Sequence, residues 1–314
     1  MNKNIPIFIM LVFLIFNLFN GCVEYKTREE SIPDNAIKMT PETDLFPPQL
    51  HSDEYEYPIP MSGPINTAGA EDSPFITCCS EGEEFYFFFT PDVKVPVEEQ
   101  ISDGVTGIYY TKKINGDWIE PKRVILQDRW KLSLDGCTFV YDDIMWFCSA
   151  RQGYTGLHWF TAEYDNEKWT NWENSDFEPE LEVGELHFYN NWTELYYHSE
   201  REMGKGGTDI WLSKLKDGKW SEPENIAIIN TEENEGMPYI TSDGNELWFN
   251  RVYLGTPAIY RSKKLNDEWQ EPELIISQFA GEPTLDDQGN IYFVHHYYVD
   301  GDMIEADIYV SIRK

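Results

Sequence analysis

Apolar positions between residues 83 and 311 recur as short runs, not as a stripe of helical period. An apolar-aromatic-aromatic step appears five times: Phe85-Tyr86-Phe87, Met145-Trp146-Phe147, Leu195-Tyr196-Tyr197, Leu247-Trp248-Phe249 and Ile291-Tyr292-Phe293. A second step follows each of these: Ile108-Tyr109, Leu157-His158, Ile210-Trp211, Ile259-Tyr260 and Ile308-Tyr309. Turn-forming clusters such as Ser242-Asp243-Gly244-Asn245 separate the runs. Short aromatic-rich runs bounded by turn residues predict strands joined by hairpins.

The spacing is that of a repeat about fifty residues long. Tryptophan marks it at Trp118, Trp169, Trp220 and Trp269, three of them followed by Glu-Pro at Glu120-Pro121, Glu222-Pro223 and Glu271-Pro272. Each unit holds four strands, the pattern of a β-propeller blade. A lone four-stranded sheet leaves both faces bare. Neighbouring blades cover them, and closing the ring removes the exposed ends. The predicted fold is therefore all-β, a propeller of five four-stranded antiparallel blades over residues 53–314.

The count of five and the closure come from the chain ends. The last unit stops after Asp307-Ile308-Tyr309-Val310, one strand short. Tyr55-Glu56-Tyr57-Pro58, leading to Ile65-Asn66-Thr67, parallels Trp220-Ser221-Glu222-Pro223 leading to Ile229-Asn230-Thr231. Residues 53–60 are predicted to supply the missing outer strand of the last blade.

Residues 207–249, from Gly207-Thr208-Asp209-Ile210-Trp211 through Trp220-Ser221-Glu222-Pro223, Asn234-Glu235 and Asp243-Gly244 to Leu247-Trp248-Phe249, resemble the WD40-like repeat called PD40. That repeat is known from the C-terminal propeller of TolB and from exported proteins. The resemblance is strong over residues 205–275, fainter in the first and last blades and weakest in the second. It implies a propeller used for binding or scaffolding. TolB-type propellers usually have six blades, so TolB's partners are not carried over.

Lys3 precedes an apolar run from Ile5 to Phe16, too short to span a membrane but suited to a signal peptide. Leu18-Phe19-Asn20-Gly21-Cys22 resembles a lipoprotein lipobox, so residues 1–22 are expected to be a signal and Cys22 the lipidation point. Residues 23–52, rich in Glu, Pro and Thr, read as a flexible tether to the cell envelope. Cys78, Cys79, Cys137 and Cys148 remain. Counting outward from a turn at Asp142-Asp143 sets Cys137 opposite Cys148, as a disulfide or as two small buried thiols.

Acidic residues number 56 against 24 basic ones, for a net charge of −32. Phosphate binding needs clustered Lys and Arg, so nucleic acid is excluded as a partner, and so is a peripheral hold on anionic lipid. The acidity reads chiefly as a solvated surface. No HExxH, GxSxG or phosphate loop is present, and no cysteine–histidine spacing suits zinc. No cofactor is expected. Asp300, Asp302, Glu305 and Asp307 are the candidate oxygen ligands for a calcium ion. Asn191-Trp192-Thr193 has the glycosylation pattern.

A residue found in every blade holds the blade together, and one that breaks the pattern is the better site candidate. Arg151, Arg201 and Arg251 are 50 apart and are expected to pair with acids at the starts of first strands. Glu71, Asp72, Glu185, Glu235 and Glu282 gather at those starts, near one mouth of the channel. The insert 90–106, the Ser199-Glu200-Arg201 segment and His295-His296-Tyr297-Tyr298 are expected to rim the same face, with Trp130 among the aromatics. Two function classes follow: a monomeric binding or scaffold propeller for protein, peptide or glycan, or a glycoside hydrolase-like enzyme using two carboxylates among Asp72, Glu185, Glu235 and Glu282.

Overall fold

The computed structural model describes residues 26–79, 82–128, 131–176 and 183–314. Residues 1–22, expected to be a signal, and Trp130 lie outside the described residues. Five antiparallel sheets stand around a central channel as the blades of a propeller. Blade 1 orders strands Ala70–Cys79, Gly82–Thr90 and Gly107–Ile114, edged by Asp117–Trp118 and Lys122–Arg123. Blade 2 runs Ser133–Tyr141, Ile144–Arg151, His158–Asp165 and Lys168–Asn174. Blade 3 runs Val183–Tyr189, Glu194–Ser199 and Asp209–Lys216, edged by Lys219–Trp220 and Glu224–Asn225. Blade 4 runs Glu235–Ile240, Glu246–Tyr253 and Thr256–Leu265, edged by Glu268–Trp269 and Glu273–Ser277, with Gln49–Leu50 outermost. Blade 5 runs Ala280–Leu285, Ile291–Val299 and Asp302–Ser311.

The ring closes as the sequence predicts. Ile59–Pro60 is the outer strand of blade 5, with Ile59 opposite Val310 and Pro60 opposite Tyr309. Tyr55 bridges to Arg313. Pro60 is tolerated because an edge strand leaves one side of its backbone unpaired.

Hairpins into the Trp strands explain their sharp spacing. Asn115-Gly116, Asn166-Glu167, Asp217-Gly218 and Asn266-Asp267 all have positive φ at both positions. That is the two-residue turn whose twist matches the flanking strands, and Asn, Asp and Gly adopt it most readily.

The aromatic triplets lie in second strands, each covered by a blade on either side, so every member is needed inside. Phe85, Tyr86 and Phe87 are at most 1% exposed, as are Leu195, Tyr196, Tyr197, Leu247, Trp248 and Phe249. Burying each such side chain stabilises the fold by roughly 1.5–3 kcal/mol. The marker tryptophans pack on them. Trp118 meets Phe85 at 5.5 Å, Trp169 meets Tyr86 at 6.4 Å and Trp269 meets Tyr196 at 6.5 Å between ring centroids.

Residues 28–50, expected from composition to be a tether, instead lie along the propeller. Arg28 is buried and donates to the Ile65 carbonyl at 2.8 Å. Lys38 donates to Glu305 and Asp307, Met39 N–H donates to Glu305 at 2.6 Å, and Asp44 meets His295 at 2.8 Å. The partners of Lys38, Met39 and Asp44 are more than 250 residues away in sequence, which is why composition alone reads the segment as loose. Glu305 and Asp307 are thus occupied by an ammonium group, and Asp300 and Asp302 sit exposed at a hairpin. The four candidate ligands do not converge on one point. Among the described residues no group of acids, histidines and cysteines is arranged to hold a metal.

Candidate functional site in the central channel

Each first strand carries a β-bulge at the same height. The register shifts between Asp72 and Phe75, Gly136 and Phe139, Val183 and Leu186, Gly236 and Tyr239, and Gly281 and Thr284. Ser73, Cys137, Met237 and Glu282 take positive φ there. A bulge re-aims side chains, and here it decides which acids enter the channel. It also corrects the cysteine pairing. Cys148 lies opposite Gly136, not Cys137, and both cysteines are free thiols.

Aligning the bulges sorts the predicted acids into two sets. Glu71, Asp135 and Glu235 stand at one equivalent position and are held for the fold. Glu71 accepts from Thr67 N–H at 2.8 Å and Thr67 Oγ1 at 2.6 Å, with Arg28 at 3.6 Å. Burial still pushes Glu71 up to about 7, against the pull of Thr67 and Arg28. Glu235 accepts from Thr231 N–H at 2.9 Å and from Arg251 Nε at 2.7 Å. Asp135, which the sequence reading passed over, accepts from Arg151 Nη2 at 2.7 Å and Ser149 Oγ at 2.6 Å.

The arginines belong to this scaffold too. Each guanidinium lies over the aromatic pair of its blade's second and third strands: Arg28 over Phe87 and Tyr109, Arg151 over Phe147 and Phe160, Arg251 over Phe249 and Tyr260. Arg201 lies over Trp211 and donates to Tyr197 Oη at 2.8 Å. Blade 1 has no arginine of its own at this level, and the N-terminal arm supplies Arg28. In blade 5 the equivalent place holds His295, fully buried against Tyr297 and Tyr309 and bonded to Asp44. His295 through Tyr298 lie within the strand Ile291–Val299, not in a rim loop, and His295 does not reach the channel.

The second set breaks the blade pattern. Asp72 stands where the other blades have Gly136, Gly184, Gly236 and Gly281. Glu185 and Glu282 occupy the bulge itself. These three carboxylates converge with His296, the channel histidine that sequence reasoning did not single out. His296 Nε2 is 3.6 Å from Asp72 Oδ2, and Cys137 Sγ donates to Glu185 Oε1 at 3.5 Å. Glu282 N–H is fixed by Asn250 Oδ1 at 2.9 Å, while its own Oε2 is buried without a hydrogen-bond partner.

Their proton affinities diverge. Burial pushes Glu282 well above the ordinary carboxylate range, reinforced by the charges of Asp72 and Glu185. Burial likewise raises Glu185, followed by Cys137 and Asp72. Burial also raises Asp72, but His296 and the Ser73 N–H outweigh it and leave Asp72 below its usual value. Burial lowers His296, and Asp72 more than reverses this, so the imidazole is raised. Burial thus favours the neutral form of Glu185 and Glu282, while the Asp72–His296 contact favours the charged form of both its members.

Below the cluster the channel narrows to a cavity of about 40 Å³ between Glu185, Glu282 and Cys137. At about 10–15 Å³ per water, that admits only a few waters. An aromatic collar closes it off. Phe75 meets Phe139 at 5.3 Å, Phe139 meets His187 at 4.7 Å and His187 meets Tyr239 at 4.6 Å. Beyond the collar the opposite mouth widens into a funnel of about 440 Å³.

No family model matches the chain, and no curated protein matches it. Among solved structures the chain is similar to several sugar-processing enzymes. One is a GH43B enzyme of a Bacteroides ovatus xyloglucan locus (13% identity, TM-score 0.46, 77% of this chain and 52% of that one). Another is an α-L-arabinofuranosidase from Lactobacillus brevis (11%, 0.48, 77% and 90%), and a third is the α-L-arabinofuranosidase PaAbf62A from Podospora anserina (10%, 0.47, 81% and 95%). The chain spans about half the length of the first. At these identities and scores the likeness carries no conclusion about this chain.

Proposed function

We propose that this is an envelope-displayed, lipid-anchored propeller of the PD40 type whose upper channel mouth binds a hydroxyl-rich ligand of the glycan class. One observation carries the reading: Asp72, Glu185 and Glu282 converge at positions that depart from the blade pattern, and among the described residues no ion pair joins them to an arginine. Burial favours the neutral form of Glu185 and Glu282, and a neutral carboxyl both donates and accepts hydrogen bonds. With Asp72 balanced by His296, the cluster has little net charge to offer a cation or an anion. Neutral hydroxyls match that donor and acceptor set. The test is a glycan array followed by titration calorimetry with the full chain, with Glu282→Gln and Glu185→Gln as variants. Binding that both variants leave unchanged would remove the cluster from the site.

The divergent proton affinities favour glycoside hydrolysis as a second reading. A protonated Glu282 beside an ionised Asp72 is the acid and base division such chemistry uses. Turnover of an aryl glycoside panel, abolished in Glu282→Gln, is the expected result under that reading. Absence of turnover on every substrate counts against it.

A further inference from the structure

The funnel on the far side of the aromatic collar is separate from the carboxylate cluster and has its own chemistry. It is built from the ends of the first strands and the hairpins that follow them. Its wall is aromatic, with Phe139, Phe188, Tyr239 and Trp192 among the lining side chains. Trp192 meets Phe139 at 5.8 Å, Tyr141 at 5.3 Å and Phe188 at 4.9 Å. Asp142 and Asp287 stand exposed at the rim, and no Lys or Arg is among the described residues that line it. Its volume, about 440 Å³, is within the range of small-molecule sites.

Elsewhere this chain repeatedly sets a cation of its own on its aromatic stacks. Arg28, Arg151, Arg251 and Arg261 do so inside the blades, and Lys113 and Lys264 do so on Trp118 and Trp269. The funnel has the rings and the carboxylates without the cation. His187 in the collar does not supply one, since burial holds its imidazole down to about 3. A chain of net charge −32 also raises the local concentration of cations.

We propose that the funnel is a second binding site, taking an organic cation: an ammonium or quaternary ammonium group on a short apolar stem. The stem lies against the aromatic wall, and the charge sits over the Trp192 and Tyr141 rings toward Asp142 and Asp287. A free amine and a lysine side chain of a peptide share this chemistry.

Calorimetry on the full chain tests it with three probes: choline, its uncharged isostere 3,3-dimethylbutan-1-ol, and Nα-acetyl-lysine amide. At least one cation is expected to bind about tenfold more tightly than the alcohol, the size of a desolvated cation–ring contact. Choline ahead of the lysine amide identifies a free quaternary amine as the source, and the reverse order a peptide. Trp192→Ala is expected to cost about tenfold. Should that variant fold poorly, the exposed pair Asp142→Asn and Asp287→Asn reads the same site, with weaker binding expected. Glu282→Gln, across the collar, is expected to leave cation binding unchanged, so failure here is distinct from failure at the upper mouth. Equal affinity for the alcohol, or no cation binding up to about 10 mM, well above the range of a usable site, overturns the proposal.

Discussion

Arg28 lies 3.6 Å from Glu71, although the two belong to different parts of the fold, the N-terminal arm and the first strand of blade 1. Both side chains are at most 3% exposed. Removing the arginine leaves a buried carboxyl supported only by Thr67. We expect Arg28→Ala to destabilise the domain by about 3–5 kcal/mol in urea unfolding, the usual result of orphaning a buried partner. Arg28→Ala with Glu71→Gln should recover a good part of the loss. An unchanged midpoint in the single variant would mean that the arm is not docked.

The channel carboxyls give a pH dependence of definite sign. Glu282 and Glu185 have folded pKa values above their unfolded ones, so the folded state holds extra protons. Stability then falls as pH rises from the unfolded carboxylate value through the folded one. Glu282→Gln keeps the shape and removes the titration. Its melting temperature is expected to exceed that of the parent at pH 8 by about 2–4 °C per kcal/mol recovered, and the gap should shrink toward pH 5. A gap that widens on acidification would reverse the assignment.

Glu54 works in the opposite direction. Hydrogen bonds from Arg261, at 2.9 and 2.6 Å, hold it down to about 2. Its contribution is present above the unfolded carboxylate pKa and is lost as pH falls through about 2. Because Glu54 is 39% exposed, solvent screening discounts the effect. Glu54→Gln should cost about 1 kcal/mol at pH 7 and progressively less as pH falls toward 2, measured by denaturant midpoints.

Arg151 and Asp135 test whether the repeated cation slots need guanidinium geometry. Arg151 is buried over Phe147, Phe160 and Trp172 and bonds Asp135. Lysine can neither stack flat nor bond from a planar fork. Arg151→Lys is expected to lose roughly 2–4 kcal/mol, close to the loss in Arg151→Met. Full retention of stability by the lysine variant would show that charge alone suffices.

The blade count and the clasp were legible because they rest on repetition. Phe85-Tyr86-Phe87 and its four counterparts mark strands covered on both faces, and Tyr55–Pro60 resembles the outer strand that the last unit lacks. The site was legible only in part. Glu71 and Asp72 are neighbours in sequence, yet one is locked to Thr67 and the other faces the channel. Strand alternation sets the two on opposite faces, and the bulge that follows Asp72 has no announcing side chain, since Ser73, Cys137, Met237 and Glu282 share no chemistry. Asp135 was passed over, and of the two neighbouring histidines expected on the rim His295 was taken as the candidate, whereas alternation along the strand turns His296 to the channel. The docking of Lys38 and Asp44 depends on partners at the far end of the chain, which no local pattern records.

Chain order gives the clasp a consequence for biogenesis. Residues 49–60 leave the ribosome first among the ring's parts, but their partners, residues 273–311, leave last. Until then the leading segment has no sheet to join, and blade 1 has no neighbour on one side. Circularisation is therefore the final event of synthesis. A product truncated before residue 302 has an open rim of unsatisfied amides, of the kind that chaperones and proteases recognise.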